Sequence, residues 1–294
     1  SMYYVSEIFK SIQGEGHYTG VPTIWVRSFG CNLECNGFGQ KHPTIPETYE
    51  LPYQTLDLSS IHTVEDLPVF DKGCDSSYSW SKRYKHLMKK MTVKEIVSAI
   101  EDLLPGYGWN TNEGGTDFHL AFTGGEPLMK KNQKMILEVM KEFGFATPKY
   151  VTFETNGTQS LSQELLDYMR ETSYDPSRYG SEYFFSVSPK LFSVSGEEAS
   201  DAIKPDVLKL YRSVSSKGQL KFVSNGSEKS FQEIKEVCDE LDPFSVYSRW
   251  VMPVGATLEE QEANAGDIAM DAVERGYNVS ARVHCYLFGN QIGT

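Results

Sequence analysis

Cys31 and Cys35 are separated by three residues, and this spacing is the feature of the sequence that most directly indicates chemistry. Thiolates are soft ligands that suit iron-sulfur clusters, and a four-iron cluster held by three cysteines leaves one iron open to a small molecule. The next cysteine along the chain is Cys74, since position 38 is Phe38. The pair alone is equally compatible with two ordinary buried thiols, so its meaning depends on the surrounding motifs.

Further motifs occur in order along the chain. They are Gln13-Gly14-Glu15-Gly16, Arg27 before the cysteines, Thr123-Gly124-Gly125-Glu126-Pro127, Glu154-Thr155-Asn156-Gly157 and Ser188-Pro189-Lys190. This ordered set resembles 7-carboxy-7-deazaguanine synthase, a QueE-type family of radical S-adenosylmethionine enzymes of 7-deazapurine synthesis. The resemblance extends from about residue 4 to the C-terminus.

The cysteine spacing departs from that family. Its usual pattern is Cys-x3-Cys-x2-Cys, whereas 38 residues separate Cys35 from Cys74 here. We interpret residues 36–73 as an insertion in the cluster loop, because Cys74-Asp75-Ser76 resembles the segment after the third cysteine. Such an insertion is tolerable since closure entropy grows only logarithmically with loop length. The resemblance implies a 4Fe-4S cluster on Cys31, Cys35 and Cys74, and we interpret Cys238 and Cys285 as unligated.

The open iron of such a cluster binds the amino acid end of S-adenosylmethionine in the resembling family. Taken singly, the glycine-rich and proline-containing segments would equally be turns at strand ends. The resemblance implies that they contact the cofactor instead. The implied S-adenosylmethionine site comprises Cys74, Asp75, Gly124, Gly125, Glu126, Asn156, Ser188, Pro189, Lys190, Met252 and Pro253.

The substrate implied by the resemblance is 6-carboxy-5,6,7,8-tetrahydropterin. Its carboxylate and its amide-amidine edge require a cation, a donor-acceptor pair and an anionic acceptor. Without the resemblance, Arg27 would be read as a surface ion pair, Glu15 as a solvated loop charge and His284 as a structural histidine. The implied substrate site comprises Ile12, Gln13, Gly14, Glu15, Arg27, Thr123 and His284.

Magnesium is the second metal that the resemblance implies. In that family it bridges the substrate carboxylate and a hydroxyl just after the third cluster cysteine, which corresponds to Ser76 here. Threonine is usual at that position, but serine keeps the hydroxyl, and Mg²⁺ accepts a single protein oxygen when the substrate supplies others. Asp75 is the alternative ligand.

Composition restricts the remaining function classes. The chain has 294 residues and a net charge of −12, which argues against a binder of nucleic acid backbones. We expect no membrane span, because no apolar run approaches about 18 residues, and we expect a cytoplasmic protein because no signal sequence opens the chain. An odd number of cysteines suits a reducing compartment. We also expect a homodimer that uses an external electron donor such as flavodoxin.

Strands alternate with amphipathic helices, which predicts an α/β fold with parallel strands. The resemblance implies a partial (β/α)6 TIM-like barrel of the radical S-adenosylmethionine type, whereas the pattern alone also allows a doubly wound sheet. We expect a single domain over residues 2–294. The predicted strands are 23–27, 118–122, 150–154, 183–187, 220–223, 248–252 and 278–283, and the predicted helices are 92–104, 132–143, 161–170, 230–241 and 258–275. Thr92 and Glu95 predict a capping box at the start of the first helix, and Gly144 predicts the end of the second.

The implied activity is a radical ring contraction of the tetrahydropterin to 7-carboxy-7-deazaguanine with loss of ammonia, a carbon-nitrogen lyase step of queuosine-type biosynthesis. The cofactors carry the difficult chemistry, and the protein holds the reactants in register and excludes water. One alternative is a radical activase that places a glycyl radical on a partner protein. A second is a non-enzymatic zinc module on Cys31, Cys35, Cys74 and a histidine.

Overall fold

A computed structural model of the chain describes residues 1–30, 88–106, 108–110, 115–192, 202–253 and 258–289. In these ranges a single nine-stranded sheet has the order β3-β1-β2-β4-β5-β6-β7-β8-β9. Strand β1 pairs antiparallel with β2 and β3, and every pair from β2 to β9 is parallel. The strands are β1 Met2–Ile12, β2 Pro22–Ser28, β3 Lys89–Thr92, β4 His119–Gly124, β5 Tyr150–Thr155, β6 Glu182–Val187, β7 Gly218–Ser224, β8 Ser248–Pro253 and β9 Asn278–Val279.

Helices follow the parallel strands and cross from each to the next. Thr92 and Glu95 form the predicted capping box of the first helix, and the second ends at Gly144, whose φ of 58° suits glycine. None of the helices in the described ranges is long and apolar enough to cross a membrane. The helices are α1 Val93–Leu103, α2 Lys130–Phe143, α3 Gln163–Thr172, α4 Pro205–Val214, α5 Glu228–Leu241, α6 Leu258–Glu274 and α7 Val283–Phe288, with 3-10 turns at Gly16–Tyr18 and Gly144–Ala146.

The two faces of the parallel strands differ in chemistry. Alternate residues such as Val26, Phe122 and Phe153 are fully buried in one hydrophobic cluster with residues of the helices. The residues between them point to the opposite face, because successive side chains of a strand alternate. We call this opposite side the polar face. Its residues include Thr23, Arg27, His119, Thr123, Tyr150, Thr152, Glu154, Glu182, Phe184, Ser186, Gln219, Lys221 and Met252.

Several predicted elements differ from the structure. Strands β1 and β3 and helix α4 were not predicted. The predicted strand over 278–283 is too long, because β9 ends at Val279 and Val283 begins helix α7. The backbone leaves the sheet at Ser280, whose hydroxyl accepts a hydrogen bond from Gly16 N–H at 2.9 Å.

Candidate active site

The segment that joins β1 to β2 lies across the polar face at the N-terminal end of the parallel strands. The His17 ring is 5.9 Å from Phe184, and the Tyr18 ring is 4.8 Å from Phe184 and 4.7 Å from His119. Tyr18 also donates a hydrogen bond to Glu182 at 3.1 Å. These contacts close the N-terminal end of the polar face and hold residues 13–15 against its middle.

A partly buried network of charges occupies that middle. Lys221 Nζ lies 3.1 Å from Glu15 Oε2 and 3.1 Å from Glu154 Oε2. The Gln13 amide donates to Glu154 Oε1 at 3.0 Å, and its carbonyl accepts from Glu15 N–H at 3.3 Å. Burial alone would lower the pKa of Lys221, but the neighbouring carboxylates of Glu154 and Glu15 raise it above its usual value. Lys221 is therefore a cation held between two acidic side chains.

Helix α7 brings the C-terminal part of the chain onto the same segment. Val283 N–H donates to the Gly14 carbonyl at 3.2 Å, and His284 Nε2 lies 3.3 Å from Ser11 Oγ. A Cβ atom added to Gly14 would lie 2.2 Å from His284 Nδ1, so only glycine permits this approach of the ring. Arg282 Nε is 3.8 Å from Glu15 Oε1. The structure thus places His284 beside Gln13-Gly14-Glu15.

Arg27 lies on the same face, further toward the antiparallel edge. Its Nε donates to Glu7 Oε1 at 3.0 Å, and Glu7 is buried. Arg27 pairs in register with Thr123 of β4, so both side chains project from neighbouring positions. Ile12 ends β1, and its carbonyl accepts from Trp25 Nε1 at 3.2 Å. Arg27 therefore has a counter-charge within the protein and is not a surface ion pair.

The glycine-rich segment after β4 packs against the end of β2. Gly124 has a φ of 143°, and an added Cβ would lie 2.4 Å from the Ser28 carbonyl oxygen. Strand β4 continues through Gly124 rather than ending at Phe122 as predicted. Glu126 N–H donates to the Gly30 carbonyl at 2.6 Å. Gly30, the residue before Cys31 in the sequence, therefore lies beside Gly124-Gly125-Glu126.

The Glu126 carboxylate is fully buried and joins two strand ends. It accepts hydrogen bonds from Leu128 N–H at 2.8 Å, from Asn156 N–H at 2.8 Å and from the Thr155 hydroxyl at 2.9 and 3.0 Å. Burial raises the pKa of Glu126 to about 7, against the opposing effect of these hydrogen bonds. The side chain is therefore a brace between the turns that follow β4 and β5.

The other predicted cofactor residues follow strands β5, β6 and β8. Asn156 Oδ1 accepts from Thr158 N–H at 3.1 Å, which shapes the turn after β5. Ser188 N–H donates to the Thr155 carbonyl at 2.8 Å, so the Ser188-Pro189-Lys190 segment begins beside Asn156. Met252 and Pro253 end strand β8. Because parallel strands end at one edge, these segments share the C-terminal edge with Gly124.

The predicted metal ligands Cys31, Cys35, Cys74 and Ser76, together with Asp75 and the 36–73 insertion, lie outside the described residues. In the ranges that the structure describes, no group of three or more His, Cys, Asp or Glu side chains could hold a metal ion. Cys238 is buried in helix α5, and Cys285 is buried in α7. Their interpretation as unligated cysteines stays a prediction.

Sequence reasoning missed three residues of the charge network. Glu154 stands in a motif that was recognised, yet only Asn156 of that motif was assigned a role. Lys221 lies between Leu220 and Phe222 inside a predicted strand, and a lysine flanked by core residues is a signal that could have been read. Arg282 was hidden by the wrong assignment of its segment to a strand.

Sequence comparison finds named proteins that match nearly the whole chain. The chain is 25% identical over 293 residues to 7-carboxy-7-deazaguanine synthase of Rhodopirellula baltica, covering 99% of this chain and 88% of that protein. It is 26% identical to the protein of the same name from Halobacterium salinarum, covering 97% and 90%. No protein-family model matches the chain. The resemblance read from the sequence is thus confirmed by proteins that carry this name over nearly the whole chain.

The fold prediction is also confirmed. The crystal structure of QueE from Escherichia coli superposes with a TM-score of 0.56 over 96% of this chain and 95% of that one, at 17% sequence identity. The seven parallel strands β2 and β4 to β9 supply the predicted α/β architecture. The doubly wound alternative is not needed.

Proposed function

We propose that this protein is a 7-carboxy-7-deazaguanine synthase that contracts the ring of 6-carboxy-5,6,7,8-tetrahydropterin with release of ammonia. The observation that carries the proposal is the convergence of Gln13, Glu15 and His284 with Glu154 and Lys221 on one partly enclosed face. A network of this kind suits a small polar heterocycle. The full-length relatives bear the name of this activity, and the activase alternative is not favoured.

The amide-amidine edge of the pterin is bound by the acidic part of the network. Ionised carboxylates accept hydrogen bonds only, and an amide both donates and accepts. Glu15 and Glu154 match the N–H groups of the amidine, and Gln13 matches the mixed amide side. Lys221 contacts both carboxylates and holds them in position for this recognition. The arrangement explains why a lysine stands in the interior of a strand.

The substrate carboxylate is bound toward the other side of the face. Arg27 supplies a guanidinium that suits a carboxylate geometrically, and its pairing with Glu7 orients the fork. Thr123 adds a hydroxyl at the neighbouring strand position. The substrate thus spans from the charge network to Arg27, across β5 and β4.

The cofactors are a 4Fe-4S cluster on Cys31, Cys35 and Cys74, S-adenosylmethionine and Mg²⁺ on Ser76. The edge of the sheet fits them, because Gly124 closely approaches Ser28 and the cysteine segment begins at the adjacent Gly30. The bound cluster supplies the electron that cleaves S-adenosylmethionine. The chain's own residues hold the cofactor at the strand ends and the pterin below it, and the packed segment 13–18 excludes water from the N-terminal side.

The test is anaerobic incubation of the reconstituted protein with the tetrahydropterin, S-adenosylmethionine and reductant, followed by mass analysis. We expect a product that has lost ammonia, and we expect Glu15→Gln to reduce its formation while the cluster absorption is retained. An intact brown protein that leaves the tetrahydropterin unchanged would refute the proposal. A colourless protein that binds zinc would instead favour the zinc module.

Two further features belong to the proposal. An external donor such as flavodoxin reduces the cluster, and the protein forms a homodimer. Reduction of the cluster by flavodoxin in the absence of dithionite tests the first feature. Analytical ultracentrifugation tests the second, and a monomer at micromolar concentration would refute it.

A further inference from the structure

We infer that Gln219 of strand β7 is a positioning residue that sets the substrate-binding side chains of residues 13–15 through the backbone at Gly16 and His17. The inference rests on the proposed function for the identity of the substrate. Gln219 was not among the residues that the motifs indicated. Its side chain is 1% exposed and lies on the polar face, two residues before Lys221 on the same strand.

The Gln219 amide joins two separate parts of the polar face. Its carbonyl oxygen accepts from His17 N–H at 2.9 Å, and its NH2 group donates to Ser186 Oγ on β6 at 2.9 Å. Ser186 is itself fully buried, and it pairs in register with Gln219. The amide is therefore fixed at both ends, so it holds the His17 backbone at a defined height above the strands.

The adjacent residue has the conformation that this contact requires. Gly16 has a φ of 76°, and an added Cβ would lie 2.5 Å from Gln219 Oε1. A non-glycine residue would be strained there and would also collide with the amide. Gly16 N–H donates to Ser280 Oγ at 2.9 Å. Two consecutive backbone donors, at Gly16 and His17, are thus held by side chains from two different parts of the chain.

The same strand controls both the backbone and the side chain of the substrate-binding segment. The Gln219 carbonyl accepts a hydrogen bond from His17 N–H, two residues after Glu15. Lys221, two residues further along the strand, contacts the Glu15 carboxylate. Residues two apart on a strand share one face, so Gln219 and Lys221 can both contact this segment. Loss of the Gln219 contact should therefore misplace Glu15 without removing any group that touches the substrate.

The kinetic test uses Gln219→Met, which keeps the length of the side chain and removes its hydrogen bonds. We expect the KM for the tetrahydropterin to rise about tenfold, the upper range for a lost hydrogen bond. Affinity for S-adenosylmethionine should change less than about twofold. The double variant Gln219→Met with Glu15→Gln should be no worse than Glu15→Gln alone, because residues that act through one another are not additive. Additive effects would overturn the inference.

The matched control is Tyr183→Phe, which removes a buried hydroxyl contact to Thr172 on the side of the sheet that faces the helices. We expect it to lower the melting temperature without raising the KM for the tetrahydropterin. Ser280→Ala is a smaller change that removes the hydrogen bond from Gly16 N–H to Ser280 Oγ, and it should also raise the KM for the tetrahydropterin. If Tyr183→Phe raises the KM as much as Gln219→Met does, Gln219 is merely structural.

A readout independent of turnover separates this inference from the proposed function. Backbone amides of residues 13–18 should exchange with deuterium faster in Gln219→Met than in the parent, and those of Tyr183→Phe should match the parent. A parent protein that does not convert the tetrahydropterin would refute the proposed function, whereas the exchange rates would still decide whether Gln219 holds the segment. Unchanged exchange in Gln219→Met would overturn the inference.

Discussion

At the N-terminal end of the parallel strands, the segment 13–18 is held by side chains of four strands and by Ser280, with aromatic rings beneath it. At the C-terminal edge, by contrast, the turns after β4 and β5 are short and are joined by the single buried carboxylate of Glu126. The first region is held by side chains from several elements, and the second is held by one side chain. If the proposed function holds, this difference predicts that substrate binding and cofactor binding can be impaired separately.

The largest effect is expected for Lys221→Met. It removes the cation that contacts both Glu15 and Glu154, and loss of one partner from a buried charge network destabilises by about 3–5 kcal/mol. Turnover of the tetrahydropterin should fall by at least about a hundredfold, as expected for about 3 kcal/mol of lost binding. Urea unfolding and anaerobic kinetics measure the two effects.

The control for this prediction is Lys235→Met. Lys235 forms an exposed pair with Asp239 one helical turn away. Removing it should change the free energy of unfolding by less than about 1 kcal/mol. Equal destabilisation by both variants would show that the Lys221 network does not dominate the stability of this end.

The protein should also lose stability in acid because of His119, which lies at the N-terminal end of the parallel strands. Burial lowers the pKa of His119 to about 4 from 6.5, since the ring is enclosed between Tyr18 and Tyr150. The unfolded chain therefore binds a proton that the folded chain rejects, and stability is lost as the pH falls from about 6.5 to about 4. The full contribution is on the order of 3 kcal/mol.

The measurement is the free energy of unfolding in urea at several pH values, for the parent and for His119→Phe. Phenylalanine keeps an aromatic ring between the tyrosines but cannot bind a proton. The difference between the two proteins should therefore depend on pH only in this window. A difference that stays constant from pH 7 to pH 4 contradicts the assignment to His119.

At the opposite edge, Glu126→Gln tests how the Glu126 side chain joins the turns after β4 and β5. The amide nitrogen cannot accept a hydrogen bond, so at least one of the donors at Leu128, Asn156 or Thr155 is left without its acceptor. We expect a loss of about 1–3 kcal/mol in the free energy of unfolding. S-adenosylmethionine should bind more weakly, while Gln13 and Glu15 keep their contacts.

Isothermal titration with S-adenosylmethionine and with the tetrahydropterin separates the two regions in this variant. A larger loss of affinity for S-adenosylmethionine than for the tetrahydropterin would show that Glu126 acts on the cofactor end of the sheet and not on the charge network. Equal losses of both affinities would mean that the two ends of the sheet respond as one unit.

The smallest effect is expected for Gly14→Ala, which places a methyl group where His284 now lies. The ring must move away, so turnover should fall by about tenfold, which corresponds to about 1.4 kcal/mol. The double variant with His284→Ala should be no slower than His284→Ala alone, because the collision is then relieved. Steady-state kinetics of the four proteins decide the point, and a further loss in the double variant contradicts a direct contact.

Sequence reasoning succeeded where the signal is local. The capping box at Thr92 and the helix end at Gly144 are chosen by neighbouring residues, and both are present in the structure. It failed where pairing is remote. Strand β1 carries charged residues within its span and is stabilised by antiparallel partners, one of which begins at Lys89. Its hydrophobic pattern alone did not indicate a strand.

The candidate site divides in the same way. Ordered motifs were sufficient to indicate the resemblance, the turns proposed to bind the cofactor and Gln13-Gly14-Glu15, because each is a contiguous run of residues. Lys221 and Gln219 lie in no such motif, and the motif that contains Glu154 did not indicate the role of that residue. They become recognisable only when the alternation of three strands and their parallel register bring their side chains to one face.

The amino-acid sequence by itself determined the α/β class, the approximate positions of most helices and parallel strands, and the resemblance to the synthase family, since these depend on local periodicity and on contiguous motifs. The tertiary structure alone decided that segment 13–18 closes one end of the polar face, that Lys221 bridges Glu15 and Glu154, and that Glu126 joins two turns. The physical reason is that these charged side chains are positioned by partners distant in sequence. The partners of Lys221 are more than 60 residues away, and the Thr155 and Asn156 partners of Glu126 are 29 and 30 residues away. Such partners are selected by strand register and burial, which no short segment encodes.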